Sequence, residues 1–199
     1  MPDQKRPYHM QQRAQSQEQT RLRITDSAVH LHGTLGPSRT SISAVAAHAG
    51  VRRSTVYRHF PDETALFDAC STHWATANPP PDLDAWAAID DPDARLRTAL
   101  TEFYAFYRRT EVMLDNLFRD ETTVALVAQR FAAFRGYLDA ARDTLMTGRG
   151  LRGNARRRTR AAIGHAIAYA TWKSLVREQR LDATDAVALA HAFVTAAHR

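Results

Sequence analysis

The chain contains 199 residues, of which 44% are hydrophobic and 24% are charged, and its formal net charge is +6. This length suits one large domain, or a small domain joined to a larger one. The single cysteine, Cys70, excludes an intrachain disulfide framework and a cysteine-based zinc site, and residues 1–19 lack the apolar core of a secretory signal, so we expect a cytoplasmic protein without a membrane span.

Residues 1–19 combine two prolines with many glutamines and few apolar side chains. This composition predicts a disordered N-terminal arm. The first helix is then predicted from Arg21 to about Leu35, with Ile24, Ala28 and Leu31 on its buried face.

A second helix is predicted to begin at a cap formed by Thr40 or Ser41. Its apolar residues recur at the three- and four-residue spacing of one buried helical face, and they are Ile42, Val45, Ala46 and Ala49. Gly50 follows where the helix must end in a tight turn, because glycine adopts a positive φ without a Cβ penalty. The pattern therefore predicts a helix, a tight turn and a further helix.

The third helix is predicted over Arg52 to Phe60, with Val56 and Phe60 facing inward. Most of the other side chains can project outward, and six of them, which we call the reading face, are Arg52, Arg53, Ser54, Thr55, Tyr57 and His59. Arginine forms bidentate contacts with guanine edges and phosphate, and hydroxyl and imidazole groups contact phosphate oxygens. An ordinary helical corner also uses an Ala-Gly-Val turn but has no need of such a row, so the pattern favours a DNA-binding helix-turn-helix.

Three segments carry a resemblance to a known family: Ala46–Val51 (AAHAGV), Ser54–Phe60 (STVYRHF) and Ala65–Phe67 (ALF). Together with an earlier set in the same register, they resemble the signature of the TetR (tetracycline-repressor) family of transcriptional regulators over about 45 residues. That earlier set is Ile24, Asp26, Ala28, Leu31 and Gly36. Three positions depart from the family pattern: His32 replaces an aromatic residue, Ser27 replaces an alanine, and Glu63 stands where a lysine is common.

The resemblance implies roles for individual residues. Tyr57 and His59 would bind phosphate, Thr40 would add a contact at the start of the second helix, and Ser43 could assist it. The remaining residues of the reading face would approach base edges, and they are Arg52, Arg53, Ser54 and Thr55. Glu63 puts one contact with the DNA backbone in question. The basic residues of the N-terminal arm could also contact DNA, although a solvated tail is the favoured interpretation.

A fourth helix is predicted from a cap at Asp62 toward Ala77, and Pro79, Pro80 and Pro81 end it. We therefore predict a disordered arm at residues 1–19, a DNA-binding domain at residues 20–78 and a second helical domain at residues 79–199. Trp86 is placed in a polar connection.

The second domain is predicted to be helical throughout, which gives an all-α chain of about nine helices. One helix begins at Asp91 or Asp93, and residues 113–118 form its continuation or a separate helix. A long amphipathic helix spans residues 124–145, and two closing helices span residues 158–177 and 182 to about 198. The densest basic cluster, at residues 149–160, is interpreted as a solvated loop rather than a second nucleic-acid contact.

Family resemblance also suggests an effector pocket and a homodimer in this second domain. The candidate pocket residues are Phe103, Tyr107, Phe131, Phe134, His165, Tyr169 and Trp172. The alternative is a plain core, which is favoured for any single aromatic residue. The candidate dimer residues are Ala162, Ala166, Ala170, Ala186, Ala190, Phe193 and Ala197.

The sequence contains no recognisable catalytic residues, metal-ligand set or cofactor motif, so we expect neither an enzyme nor a metal or cofactor site. The predicted function is a homodimeric repressor that binds a palindromic double-stranded operator and is released by an unidentified small-molecule effector. Two alternatives remain: a helical small-molecule-binding protein that keeps the helix-turn-helix as a relic, and a DNA-binding protein without an effector.

Overall fold

The computed structural model describes the backbone of residues 5–197 and the side chains of residues 10–197. Within these residues the chain forms ten α-helices and no strand, which confirms the all-α prediction. The helices are α1 (Lys5–Thr34), α2 (Ile42–His48), α3 (Arg53–His59), α4 (Glu63–Ala77), α5 (Leu83–Ala87), α6 (Pro92–Asp120), α7 (Ala125–Met146), α8 (Gly153–Ala166), α9 (Tyr169–Lys173) and α10 (Ala183–Ala196). A 3₁₀ turn at Pro37–Arg39 precedes α2, and a π-helical segment at Ser174–Glu178 follows α9.

The chain divides into two compact units. The first contains the residues up to Asn78 together with Val112–Ala128, and the second contains Pro79–Glu111 and the residues from Gln129 onward. The prediction assigned the whole of residues 79–199 to one domain. Residues 112–128 instead belong to the first unit, because polar side chains near the end of α6 bind the backbone at the end of α1 and just after it.

Helix α1 begins fifteen residues earlier than the predicted folded domain, so the prediction of a disordered arm is wrong for residues 5–19. Residues 1–4 lie outside the described residues. The segment from Met10 to Gln19 is exposed, and its glutamine, arginine and alanine residues are good helix formers. Because the rest of α1 is already packed, the extension adds residues to an existing helix and avoids the cost of nucleation.

The core of the first unit is formed by the predicted apolar faces of the first four helices. Its buried residues are Ile24, Ala28, Ile42, Val45, Ala46, Ala49, Val56, Phe60, Leu66 and Cys70. Ser41 caps α2 by accepting a hydrogen bond from the amide of Ala44 at 3.1 Å, so Ser41 rather than Thr40 is the cap. Asp62 caps α4 by accepting a bond from the amide of Ala65 at 2.7 Å, as predicted.

Trp86 is fully buried within α5, so its predicted place in a polar connection is wrong. Its indole nitrogen donates to Glu102 Oε2 at 2.7 Å, and its ring lies 5.3 Å from that of Phe103. The surrounding aspartates made this segment look like a linker, but Asp82 and Asp84 are exposed at the start of a short helix whose tryptophan packs inward.

The predicted helix over residues 158–177 is interrupted after Ala166. Helix α8 ends there, and Ala168 adopts an extended conformation before α9 begins. The carbonyls freed by the break are satisfied by two tyrosines of α6: Tyr104 donates to Ala166 O at 3.1 Å and Tyr107 to Ile167 O at 2.5 Å. Such a break cannot be detected from the continuous apolar pattern, because the compensating hydroxyls lie about 60 residues away in sequence.

None of the helices within residues 5–197 has the length and apolar character needed to span a membrane.

Candidate nucleic-acid interface

The turn between α2 and α3 has the geometry of a helix-turn-helix. Gly50 adopts a φ of +63°, and no heavy atom lies within 4 Å of the position that a Cβ would occupy there. The amide of Gly50 donates to Ala47 O at 3.1 Å, and that of Val51 donates to Ala46 O at 2.9 Å. These bonds close the end of α2 and direct the chain into α3, whose Val56 and capping Phe60 are buried.

The reading face lies on and immediately before α3. Arg52, Arg53 and Ser54 are exposed, and Tyr57 is 38% exposed, whereas Thr55 is half-buried. The structure therefore presents cationic and hydroxyl groups along one side of a seven-residue helix.

Arg53 and Tyr57 are paired on this face. The guanidinium Nη2 of Arg53 donates to the Tyr57 hydroxyl at 3.1 Å, and its Cζ lies 5.5 Å from the centre of the ring. The pKa of Arg53 is raised, first by this hydrogen bond and also by the charge of Glu63. The pair restricts both side chains before any partner arrives, which reduces the conformational entropy lost on binding.

His59 is half-buried rather than fully outward. Its backbone carbonyl accepts a hydrogen bond from Arg21 Nη1 at 3.0 Å, and Arg21 also stacks 4.5 Å above the Phe60 ring. Burial, followed by the positive charges of Arg58 and Arg21, lowers the pKa of His59, while Glu18 opposes the shift. The imidazole of His59 is therefore neutral at pH 7, and its Nε2 is buried without a hydrogen-bond partner among residues 10–197.

The two residues predicted to contact DNA at the start of α2 differ in solvent exposure. Ser43 is exposed, whereas the half-buried Thr40 donates its hydroxyl to Gly36 O at 2.8 Å and retains only acceptor capacity toward other protein groups. Arg39 is exposed just before them and was not among the predicted contacts. Glu63 is exposed in the first turn of α4, where its negative charge is stabilised by the positive end of the helix dipole.

A polar cluster near the end of α6 binds the turn between α1 and α2; we call it the α6 clasp (Asn116, Arg119 and Asp120). Asn116 Nδ2 donates to Gly33 O at 2.6 Å, and Arg119 Nη2 donates to Leu35 O at 2.9 Å. Asp120 accepts from the amide of Ser38 at 2.9 Å and from Arg119 Nε at 2.9 Å. Sequence analysis missed the clasp because its partners are backbone atoms about 80 residues away.

The clasp fits closely around Gly36, which adopts a φ of +95°. A Cβ on Gly36 would lie 2.6 Å from Asp120 Oδ2, and closer still to Arg119 Nη2. Burial tends to raise the pKa of Asp120, but the hydrogen bonds donated by Arg119 and Ser38 outweigh it, and the pKa is lowered. The carboxylate is therefore ionised at neutral pH.

His32 is half-buried beside the clasp. Its Nδ1 lies 3.5 Å from Cys70 Sγ, and its ring lies 5.5 Å from that of Phe67. Burial lowers the pKa of His32 to about 4, although the charge of Asp120 opposes the shift. His32 thus serves as an uncharged packing residue at neutral pH, in the place where the family pattern has an aromatic side chain.

In the second unit, six of the seven candidate pocket residues join one network of aromatic rings. Tyr107 is its centre, with ring centroids 5.7 Å from Phe103, 5.3 Å from Tyr169 and 6.0 Å from Trp172. Tyr137, which was not predicted, links Phe103 at 6.1 Å to Phe134 at 6.2 Å, and Phe134 lies 5.9 Å from Phe131. His165 does not join the network: it is exposed, and its ring lies 5.6 Å from that of Phe193.

Four of the seven candidate dimer residues are buried inside the chain, so they cannot contact a second copy. These residues are Ala162, Ala166, Ala186 and Ala190, which lie on the sides of α8 and α10 that pack together. Their small side chains allow the two helices to approach each other, so at these four positions the prediction named the faces of α8 and α10 that are packed within the chain. Phe193 and Ala170 are exposed, and Ala197 is half-buried.

Comparisons with known proteins place the helix-turn-helix in a family. Residues 24–70 match the model of the family described as "Bacterial regulatory proteins, tetR family". The HTH-type transcriptional regulator AcrR of Shigella flexneri is 42% identical over 53 residues. This match spans 27% of the present chain and 25% of that regulator, so the chain aligns with about a quarter of its curated relative.

Solved structures share the fold over most of the chain. A TetR-like transcriptional regulator from Rhodococcus sp. RHA1 has a TM-score of 0.63 at 19% identity, covering 88% of this chain and 93% of its own. A TetR transcription regulator from Haloarcula marismortui has a TM-score of 0.60 at 15% identity, covering 91% and 97%. At such identities the likeness concerns the fold alone.

Proposed function

We propose that this chain, whose residues 24–70 match the TetR family model, is a TetR-family transcriptional regulator that acts as a homodimeric repressor of a palindromic operator. A small-molecule effector releases it from the DNA. It works in the cytoplasm, at the nucleoid while bound, and as a regulator rather than an enzyme. The observation that carries the proposal is the exposed Arg53–Tyr57 pair on a short helix that follows a Gly50 turn.

DNA binding uses the reading face in the major groove. Arg52, Arg53, Ser54 and the half-buried Thr55 approach base edges, and Tyr57 donates to a phosphate oxygen. Neutral His59 binds a phosphate oxygen once its ring turns the buried Nε2 outward. Thr40 and Ser43 add contacts at the amino end of α2. The contact between Arg53 and Tyr57 within the chain supports these two roles, because it holds the arginine side chain along the helix before DNA binds.

The dimer uses the outer faces of α8 and α10. Leu189 and Phe193 are each 51% exposed and lie one turn apart on α10, and His165 packs against Phe193 from α8. Exposed alanines extend this apolar surface, and they are Ala161, Ala192 and Ala196. Two-fold pairing through this surface buries the apolar side chains and presents two copies of α3 to successive grooves.

The aromatic network of the second unit is the proposed effector site. Its tyrosine hydroxyls are bound to backbone carbonyls, as in Tyr107 to Ile167 O and Tyr169 to Glu111 O at 3.3 Å. An effector that enters the network competes for these bonds and rearranges the break between α8 and α9. It dissociates the DNA complex only to the extent that it binds the DNA-incompetent state more tightly, and operator DNA weakens effector binding reciprocally.

The experiment that tests DNA binding is a salt titration on a duplex selected from a random pool by the purified protein. We expect affinity to fall steeply as salt rises. Arg53→Ala should weaken binding by about 1 to 3 kcal/mol and relax preference at one position. Arg108→Ala is the matched control, because it removes an exposed arginine from a helix of the second unit. Absence of any selected duplex at low salt favours the small-molecule-binding alternative.

The effector is tested separately, by screening metabolites and drugs for release of the bound duplex. A compound that releases the wild-type protein should lose its effect in a Tyr107→Phe variant that still binds DNA. Failure of every compound to release the DNA or to shift the melting temperature favours a DNA-binding protein without an effector.

A further inference from the structure

The amino-terminal part of α1 is a helix without a core. Residues Met10–Gln19 are all exposed, yet they continue the helix that packs against α2 and α4 from Ile24 onward. A helix rises about 1.5 Å per residue, so this ten-residue segment extends α1 by about 15 Å. A helix that is polar all round is marginal unless it gains a partner.

Two contacts fix where this extension leaves the folded unit. Arg21 donates to the carbonyl of His59 at 3.0 Å and stacks on Phe60 at 4.5 Å. Both contacts lie at the carboxyl end of α3, so the extension begins beside the end of the reading face. From that point α1 continues toward the amino terminus beyond its packed part.

Helical spacing determines which side chains of the extension lie in line with the buried face of α1. Gln17, Arg13 and Met10 lie seven, eleven and fourteen residues before the buried Ile24, so they continue the inward-facing side of α1 beyond the core. Met10 is 69% exposed. This side includes Arg13 and is flanked by Arg21. Glu18, the only acidic residue between Met10 and Gln19, lies on the flank next to His59.

We propose that the α1 extension (Met10–Gln19) is a second DNA-contacting element, which lies along the phosphate backbone beside the segment read by α3. Arg13 pairs with a phosphate, and Gln17 donates its amide to a neighbouring phosphate oxygen. The contacts are independent of sequence, because phosphates and not base edges are bound. This inference rests on the proposed function, since it needs α3 to bring the extension to the duplex.

The test compares two variants with the same change of charge on opposite sides of the extension. Arg13→Gln removes one positive charge from the proposed contact side, and Gln15→Glu adds one negative charge on the opposite side. Binding is measured by fluorescence anisotropy across a salt series, on a selected duplex with about ten flanking base pairs at each end and on one trimmed to the read segment.

On the long duplex we expect Arg13→Gln to lower affinity about fivefold and Gln15→Glu to change it less than twofold. With two chains bound, the slope of log K against log salt should become less steep by about 1.8 for Arg13→Gln, because two phosphate contacts are lost. On the trimmed duplex both variants should match the wild type. Deletion of residues 2–15, of which residues 10–15 are all exposed, should shorten the hydroxyl-radical footprint at both ends.

Equal effects of the two substitutions, or none, on the long duplex would overturn the proposal. So would a deletion variant that becomes monomeric in light scattering, because the extension would then pair with a second copy of the chain. A wild-type protein that binds neither duplex instead refutes the proposed function itself.

Discussion

The two units of the molecule present their candidate functional side chains in opposite ways. The first unit exposes cationic and hydroxyl groups on the short helix α3, whereas the second encloses a network of aromatic rings contributed by α5, α6, α7 and α9. An exposed face can contact a large rigid partner such as a duplex without rearrangement. An enclosed network can admit a partner only by moving, which is what a switch requires.

The largest expected effect is the loss of dimerisation and operator affinity when the proposed dimer surface of the second unit is disrupted. Leu189→Asp combined with Phe193→Asp places two charges in the proposed dimer interface, and the protein should become monomeric. Operator affinity should fall by about 100-fold or more, because the second half-site no longer binds intramolecularly. Light scattering and anisotropy measure the two effects.

Val112→Asp is the control for this double substitution, because Val112 is 66% exposed on α6 and lies outside the proposed interface. It should remain dimeric and bind DNA. A double variant that stays dimeric and binds normally would contradict the assignment of the interface to α8 and α10.

The next largest effect is expected on the pH dependence of stability, through the half-buried His32 of the first unit. The pKa of His32 is about 4 in the folded chain, whereas that of an unperturbed histidine is about 6.5, so the unfolded state binds the proton more tightly. Stability is therefore lost as pH falls from about 6.5 to about 4, by up to about 3 kcal/mol. His32→Phe should remove this part of the pH dependence in urea unfolding, and His30→Gln, an exposed control, should keep it. Identical pH profiles for wild type and His32→Phe would be inconsistent with a buried neutral histidine.

Alanine substitutions at two glycines should change the stability of the protein by smaller amounts and in opposite directions. Gly36→Ala should destabilise the first unit by about 1 to 3 kcal/mol, because its positive φ and the neighbouring Asp120 and Arg119 oppose a Cβ. Gly136→Ala, in α7 with no heavy atom within 4 Å of the new Cβ, should stabilise the protein by about 0.5 to 1 kcal/mol. Thermal unfolding measures both, and a neutral Gly36→Ala would mean that the α6 clasp yields without cost.

The smallest expected effect is a change in operator affinity when the charge of Glu63, near the reading face, is reversed. Glu63→Lys should raise operator affinity by about threefold at low salt, an advantage that disappears as salt screens the charge. It should also cost about 0.3 to 1 kcal/mol of stability, because a lysine in the first turn of α4 opposes the helix dipole. Glu178→Lys makes the same charge change in the second unit. Equal gains from both substitutions would assign the effect to net charge rather than to position.

The first unit was largely predictable because its signals are local. Ile42 to Ala49, Gly50 and the caps at Ser41 and Asp62 act within one or two turns of each other, and the structure places them as the spacing required. The α1 extension was mispredicted because low apolar content indicates the absence of a core, which is true there, and not the absence of a helix.

The second unit was less predictable because its decisive contacts are distant in sequence. The break after Ala166 depends on Tyr104 and Tyr107, and the place of Trp86 depends on Glu102 and Phe103. The small residues of α8 and α10 were recognised, but their composition does not tell an interface within one chain from an interface between two. Only the position of each side chain relative to its neighbouring helix makes that distinction.

We propose that two copies of α3, presented by a symmetric pair of chains, occupy successive major grooves, and hydroxyl-radical footprinting on a selected duplex decides this. We expect two protected segments related by a dyad and separated by about one helical turn, both lost in Arg53→Ala. A single protected segment, or protection that persists unchanged in Arg53→Ala, would contradict it.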